Sequence, residues 1–181
     1  MADSLINRLI GSIDRVSGFF GQVASLMTLL ACVISAGNAV MRYLFNSSSN
    51  AWIEMQWYMF GAIVLLGASH TLKLNEHVRV DIIYSAVSPR ARLLLDLAGI
   101  LIILLPMSIY LAWLCWPMFW ISLVGGETSA NPGGLLRWPV KLLFPLCFTL
   151  LALQGISEAI KRVLMLQGKL PVTIQYEKSL Q

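Results

Sequence analysis

Four apolar runs, each about 20 residues or longer, decide most of what this chain can become. They extend from about Phe19 to Met41, Trp52 to Leu72, Leu93 to Val124 and Pro139 to Ile160. A helix rises about 1.5 Å per residue, so each run can cross a hydrocarbon layer about 30 Å thick. Only 12% of the 181 residues are charged and 57% are hydrophobic. A water-soluble domain of that size would leave large apolar patches open, which soluble monomers rarely tolerate. The expected fold is all-α and integral to a membrane: a single domain over residues 1–181 with four transmembrane helices.

The flanks of these runs carry further expectations. In "SLINRLIGSIDRVSGFF", Leu5, Ile6, Leu9, Ile10, Ile13 and Val16 recur at helical spacing, with Asn7, Arg8, Ser12, Asp14 and Arg15 between them. Residues 4–17 therefore read as an amphipathic helix lying in the membrane interface, with a plain extension of the first span as the competing reading. The third run, about 48 Å if fully helical, exceeds the bilayer and is expected to kink at Pro106 and Pro117. Gly125 and Gly126 should end it, and Ser88 should cap a helix whose first residue is Pro89. On the second helix, Gly61, Gly67 and Ala68 mark one close-approach face.

Basic residues set the expected orientation. Arg8, Arg15, Lys73, Arg79, Arg90, Arg92, Lys161, Arg162, Lys169 and Lys178 fall on one side, and Arg42, Arg137 and Lys141 on the other. Ten against three puts both termini, the middle loop and the tail 161–181 in the cytoplasm. Tyr43, Trp52, Trp57, Trp116, Trp120 and Trp138 gather near the two outer loops as an aromatic belt would. The net charge of +4 does not form a basic face, so nucleic acid is not an expected partner. Lys73, Arg79, Arg90 and Arg92 are explained by topology and by contact with anionic lipid.

The polar stretch "HTLKLNEHVRVD", residues 70–81, holds both histidines. His77 and Asp81 are four apart, but a metal needs three or four converging ligands. His70 and His77 lie in one continuous stretch, a poor arrangement for a haem held between helices. Cys32, Cys115 and Cys147 each sit inside an apolar run and read as small buried hydrophobes, and "LLAC" is a poor lipoprotein site because the run continues past Cys32. No phosphate-cradling glycine loop, GxSxG or HExxH is present, so neither an enzyme nor a cofactor is expected. Arg42 and Glu54 flank "YLFNSSSNAWI"; pairing across that hairpin is favoured over a partner contact or simple solvation. Asp96 and Glu158 each have a basic neighbour four residues away, Arg92 and Arg162. The central stretches Leu26 to Ser35, Ile63 to Leu66, Ile100 to Leu105 and Leu146 to Leu153 hold no ionisable group except cysteine, which argues against a transport path within this chain alone.

Taken in order, "RYLF", "NAWIEMQWYMFGAIVLLGASHTLKLNEHVRVD" and "GGLLRWPVKLLFPLCF" resemble the small membrane subunit, DctQ-type, of tripartite ATP-independent periplasmic (TRAP) transporters. The resemblance covers about Asn38 to Arg162. Where many relatives carry a second acid after Glu54, this chain has Met55. The resemblance implies two partners: a large TRAP membrane subunit that carries the substrate and sodium sites, and a periplasmic substrate-binding protein. It implies organic-acid uptake at a bacterial inner membrane, with wording closest to the mannitol/chloroaromatic or keto-acid subgroup. It also implies that His77 and Asp81 make a structural bond within the inner turn or to the large subunit, and that Arg42, Tyr43, Trp52 and Glu54, with Arg137 and Trp138, shape the outer face. A haem- or quinone-binding anchor using His70 or His77, and a self-sufficient small transporter, are the alternatives.

Overall fold

The structure is a computed structural model that describes residues 2–47, 49–76 and 87–171. Its elements are α1 (Ala2–Phe45), α2 (Asn50–Leu74), α3 (Pro89–Gly99), a π-helical segment (Ile100–Leu104), α4 (Leu105–Val124) and α5 (Trp138–Leu166). The segment from α3 to α4 forms one continuous third span, Pro89–Val124. All four spans are long and apolar enough to cross a membrane.

Residues 4–17 are not a separate helix, as the plain-extension reading has it. They run into the first span without a break, making α1 a 44-residue rod about 66 Å long. No proline interrupts it, and its glycines Gly18 and Gly21 sit where neighbouring side chains approach rather than where the helix turns. The amphipathic character survives as a surface: Leu5, Leu9 and Val16 are exposed while Ser17 is buried.

The starts and stops follow local chemistry. Ser49 caps α2, its Oγ accepting from the Ala51 N–H. Ser88 caps α3 ahead of Pro89, accepting from the Ala91 N–H at 3.4 Å. Gly125 closes α4 through its N–H to the Ile121 carbonyl at 2.9 Å, and Gly126 follows with φ +58°. Near Pro106 the distortion takes the form of the π-helical segment, in which the Leu105 N–H reaches back five residues to the Ile100 carbonyl.

Across the membrane plane the order is α1, α2, α5, third span, because α1 packs along α2, α2 along α5, and the third span along α5. This is an open layer of helices with α5 touching every other span. Its central apolar cluster is Ala24, Ala62, Leu66 and Leu150, flanked by Phe20, Val23, Met27, Leu143 and Leu146. Small residues let the backbones close up, as expected where lipid removes any hydrophobic drive between helices. A Cβ on Gly21 would lie 2.4 Å from Cγ of His70, and one on Gly155 would lie 2.6 Å from Cδ2 of Leu104 in the π-helical segment. Gly61 and Gly67 do not share a face. Gly61 looks toward Val140 of α5 and Gly67 toward Ala24 of α1, since six residues turn a helix by about 240°.

Candidate functional site

The paired charged side chains of the spans collect at the two ends of the layer. At one end, where α1 and α3 begin and α2 and α5 finish, α5 supplies Gln154, Ser157, Glu158, Lys161 and Arg162. Spacings of three and four put these on one helical face. Toward α1, the Ser17 hydroxyl donates to Gln154 Oε1 at 2.7 Å, and Gln154 Nε2 donates to Asp14 Oδ1 at 3.0 Å. The Lys161 ammonium stands 2.8 Å from Asp14 Oδ2 and 2.7 Å from Glu158 Oε1. Toward α2 and α3, the Arg162 guanidinium pairs with Glu158, donates to Asn75 Oδ1 at 3.0 Å, and lies 3.6 Å from Asp96 Oδ2.

Arg162 thus ties α2 and α3 to α5, while Asp14 and Ser17 tie α1 to the same helix. Gln154 is 0% exposed, Glu158 2%, Arg162 3% and Asp96 8%, a depth at which charge is tolerated only when paired and hydrogen-bonded. Asn75 has a second role. It caps α2 with φ +62°, a left-handed conformation that asparagine accepts better than most residues. Of the two acid–base neighbours expected from spacing, Glu158–Arg162 forms. Asp96 instead faces α5 and meets Arg162, while Arg92 Nε donates to the Val87 carbonyl at 3.2 Å.

At the other end, the connection from α4 to α5 folds into a small hairpin. Thr128 bridges Leu136, Ser129 N–H donates to the Leu135 carbonyl at 2.9 Å, and Arg137 N–H donates to the Glu127 carbonyl at 2.8 Å. Gly133 turns it at φ +70°, and a Cβ on Gly134 would lie 2.5 Å from that of Ser129. Glu54, 3% exposed, reaches into this hairpin from α2. Its carboxylate accepts from the Ser129 hydroxyl, from Asn131 Nδ2 at 2.6 Å and from the Leu135 N–H at 2.9 Å. The expected Glu54–Arg42 pair is therefore replaced by a bond between α2 and the α4–α5 hairpin, two elements far apart in sequence. Beside it Glu127 takes Lys141 and, at 3.4 Å, Arg137. The Lys141 ammonium is the main reason its carboxyl is held down at about 2.

The remaining singled-out residues are scattered. Arg42 and Tyr43 are exposed at the end of α1, with Tyr43 87% open. Trp52 is exposed on the first turn of α2, and Trp138 opens α5 directly after Arg137. Lys73 packs its Nζ near Gly18, and Arg90 lines a shallow recess with Leu93, Met165 and Leu166. His70 packs its ring on Gly21. His77, Arg79 and Asp81 lie outside the described residues. Among the described residues, no group of three His, Cys, Asp or Glu side chains converges as metal ligands would. Sequence reasoning missed Asp14, Ser17, Asn75 and Gln154. Their signal was the stripe Gln154, Glu158, Arg162, polar at every fourth position inside an apolar run.

The fold and its bonding define a class: a multi-pass helical membrane protein whose polar side chains join its own helices at both ends. The sequence profile described as "Tripartite ATP-independent periplasmic transporters, DctQ component" matches residues 31–165. The chain belongs to this family and is a TRAP transporter small permease component. One curated relative, the "C4-dicarboxylate TRAP transporter small permease protein DctQ" of Vibrio cholerae, is 32% identical over 98 residues. That match covers 54% of this chain and 39% of the relative's length. No solved structure matches.

Proposed function

We propose that this chain is a non-catalytic scaffold subunit of a sodium-driven TRAP transporter in a bacterial inner membrane. It supports the large membrane subunit during uptake of an organic acid delivered by a periplasmic substrate-binding protein. The observation that carries this reading is where the charged groups go. Asp14, Asp96, Glu158, Lys161 and Arg162 bond one another across helices at one end, and Glu54 and Glu127 hold a hairpin at the other. Such bonds fix helices in place, whereas a solute path needs polar groups facing a passage at mid-membrane depth. Membership in the DctQ family supports the choice of transporter, and the dicarboxylate in the relative's name supports the substrate class.

In this reading the helix termini at the Arg162 end face the cytoplasm, in agreement with the ten basic residues on that side. Lys73, Arg79, Arg90 and Arg92 hold that topology and meet anionic lipid. His77 and Asp81 brace the inner turn, by a bond within it or to the large subunit. The Glu54-anchored hairpin, with Arg42, Tyr43, Trp52, Arg137 and Trp138 around it, faces the periplasm, where the binding protein arrives.

The test is extraction of a tagged copy from its own membrane in mild detergent, with mass spectrometry of what accompanies it. A roughly stoichiometric large TRAP permease is expected. Recovery of the chain alone under gentle extraction and after crosslinking would contradict the proposal. A second test is Glu54→Gln, which keeps the shape but replaces one acceptor oxygen by a donor. It should leave the complex assembled, lower uptake severalfold, and speed hydrogen exchange at the Leu135 N–H by about an order of magnitude. Unchanged uptake would remove Glu54 from the functional account.

A further inference from the structure

Two long apolar faces of the layer are left uncovered by the described residues, and they differ in chemistry. The α1 face is aliphatic: Leu26, Leu29, Val33 and Val40 are 53%, 61%, 60% and 52% exposed. Acyl chains satisfy such a surface completely. The α4 face carries Tyr110, Trp113 and Trp120, 56%, 68% and 61% exposed, opposite the buried Ser108, Phe119 and Ser122. Tyr110 and Trp113 form a tilted ring pair with centroids 6.4 Å apart.

Depth makes the second face unusual. The third span is pinned at Asp96 by Arg162 and ends at Val124, ahead of the hairpin held by Glu54. About 42 Å of helix separates those two positions, and Tyr110 stands at the midpoint. On α2 the same two polar levels, Glu54 and Asn75, are about 31 Å apart, close to one hydrocarbon thickness. Tyr110 and Trp113 therefore present an O–H and an N–H near the bilayer centre, far below the headgroup level where aromatic belts sit. Each is a donor, and hydrocarbon offers no acceptor. Trp120, a turn from the hairpin end, is the one of the three placed where a belt residue belongs.

We infer that the Tyr110–Trp113 face of α4 seats a helix of the large membrane subunit that presents hydrogen-bond acceptors, such as Ser, Thr, Asn or Gln side chains, at mid-bilayer depth. The aliphatic α1 face is left to lipid. This inference rests on the small-permease reading and deepens it by naming the docking surface. The third span suits the task. Among the described residues its main packing against another span is on α5, and Tyr110, Trp113 and Trp120 are left exposed on its other side.

The experiment places a photocrosslinking amino acid at Trp113 or at Leu29 in the full chain, co-expressed with the large permease and irradiated in native membranes. The expected result is a product with the large permease from position 113 and none from position 29. In parallel, Tyr110→Phe with Trp113→Phe keeps the rings and removes both donors. It should lower the large permease recovered in mild detergent severalfold while the chain itself stays folded, because both side chains point away from its core. A product from position 29 and none from 113, or full recovery with the double variant, overturns the docking surface while leaving the subunit reading intact. Failure to recover the large permease with the unaltered chain overturns both.

Discussion

Arg162 illustrates how much a single side chain can hold in a small membrane protein. Its guanidinium serves α2, α3 and α5 at once, through Asn75, Asp96 and Glu158. Removing one partner of a buried ionic cluster costs about 3–5 kcal/mol, because the charges left behind lose their compensation. Arg162→Met should therefore lower the unfolding temperature in detergent substantially, while Arg8→Met, on an exposed stretch of α1, should leave it unchanged; equal stability of the two variants would refute the role given to Arg162. Glu127 allows a pH test with a definite sign. Its carboxyl is depressed from about 4.5 to about 2, first by the Lys141 ammonium, so it is charged in the folded hairpin throughout the neutral range. The stabilisation is complete above about 4.5 and disappears as pH falls toward 2. Hydrogen exchange of the hairpin should be flat from pH 8 to 5, after correction for intrinsic rates, and a step within that range would contradict the assignment.

At the scale of elements, the four spans were legible because twenty apolar residues in a row have few other fates. The Ser88–Pro89 start and the Gly125 stop were legible for the same kind of local reason. What was not legible was anything decided between helices. Glu54 stood out as an acid at the head of a span, yet its partners lie 75 or more residues away in the hairpin, and no local spacing announces them. Pattern alone left a separate amphipathic helix and a plain extension of the first span both open; the helix runs on because no proline breaks it from Ala2 to Phe45 and its glycines are spaced too far apart to end it. Close approaches are likewise pairwise facts. Gly21 matters because His70 lies against it. Gly21→Ala should cost stability by forcing α1 from α2, and adding His70→Ala should recover part of the loss, which thermal unfolding of the single and double variants would show. Independent, additive losses would mean that the two residues do not meet.

At the scale of the whole molecule, the layer order α1, α2, α5, third span leaves broad apolar faces and anchors polar residues at both ends. A closed bundle would bury such faces; an open layer suits a protein that widens the surface of something larger. A scaffold differs from a transporter in whether the chain moves solute by itself. The decisive measurement is flux into proteoliposomes holding the chain alone, compared with vesicles that also hold the large permease and are supplied with the binding protein, a sodium gradient and candidate organic acids. A scaffold subunit should give no flux alone, with sodium-dependent uptake only in the complete set. Sustained flux through the chain alone would contradict the scaffold role.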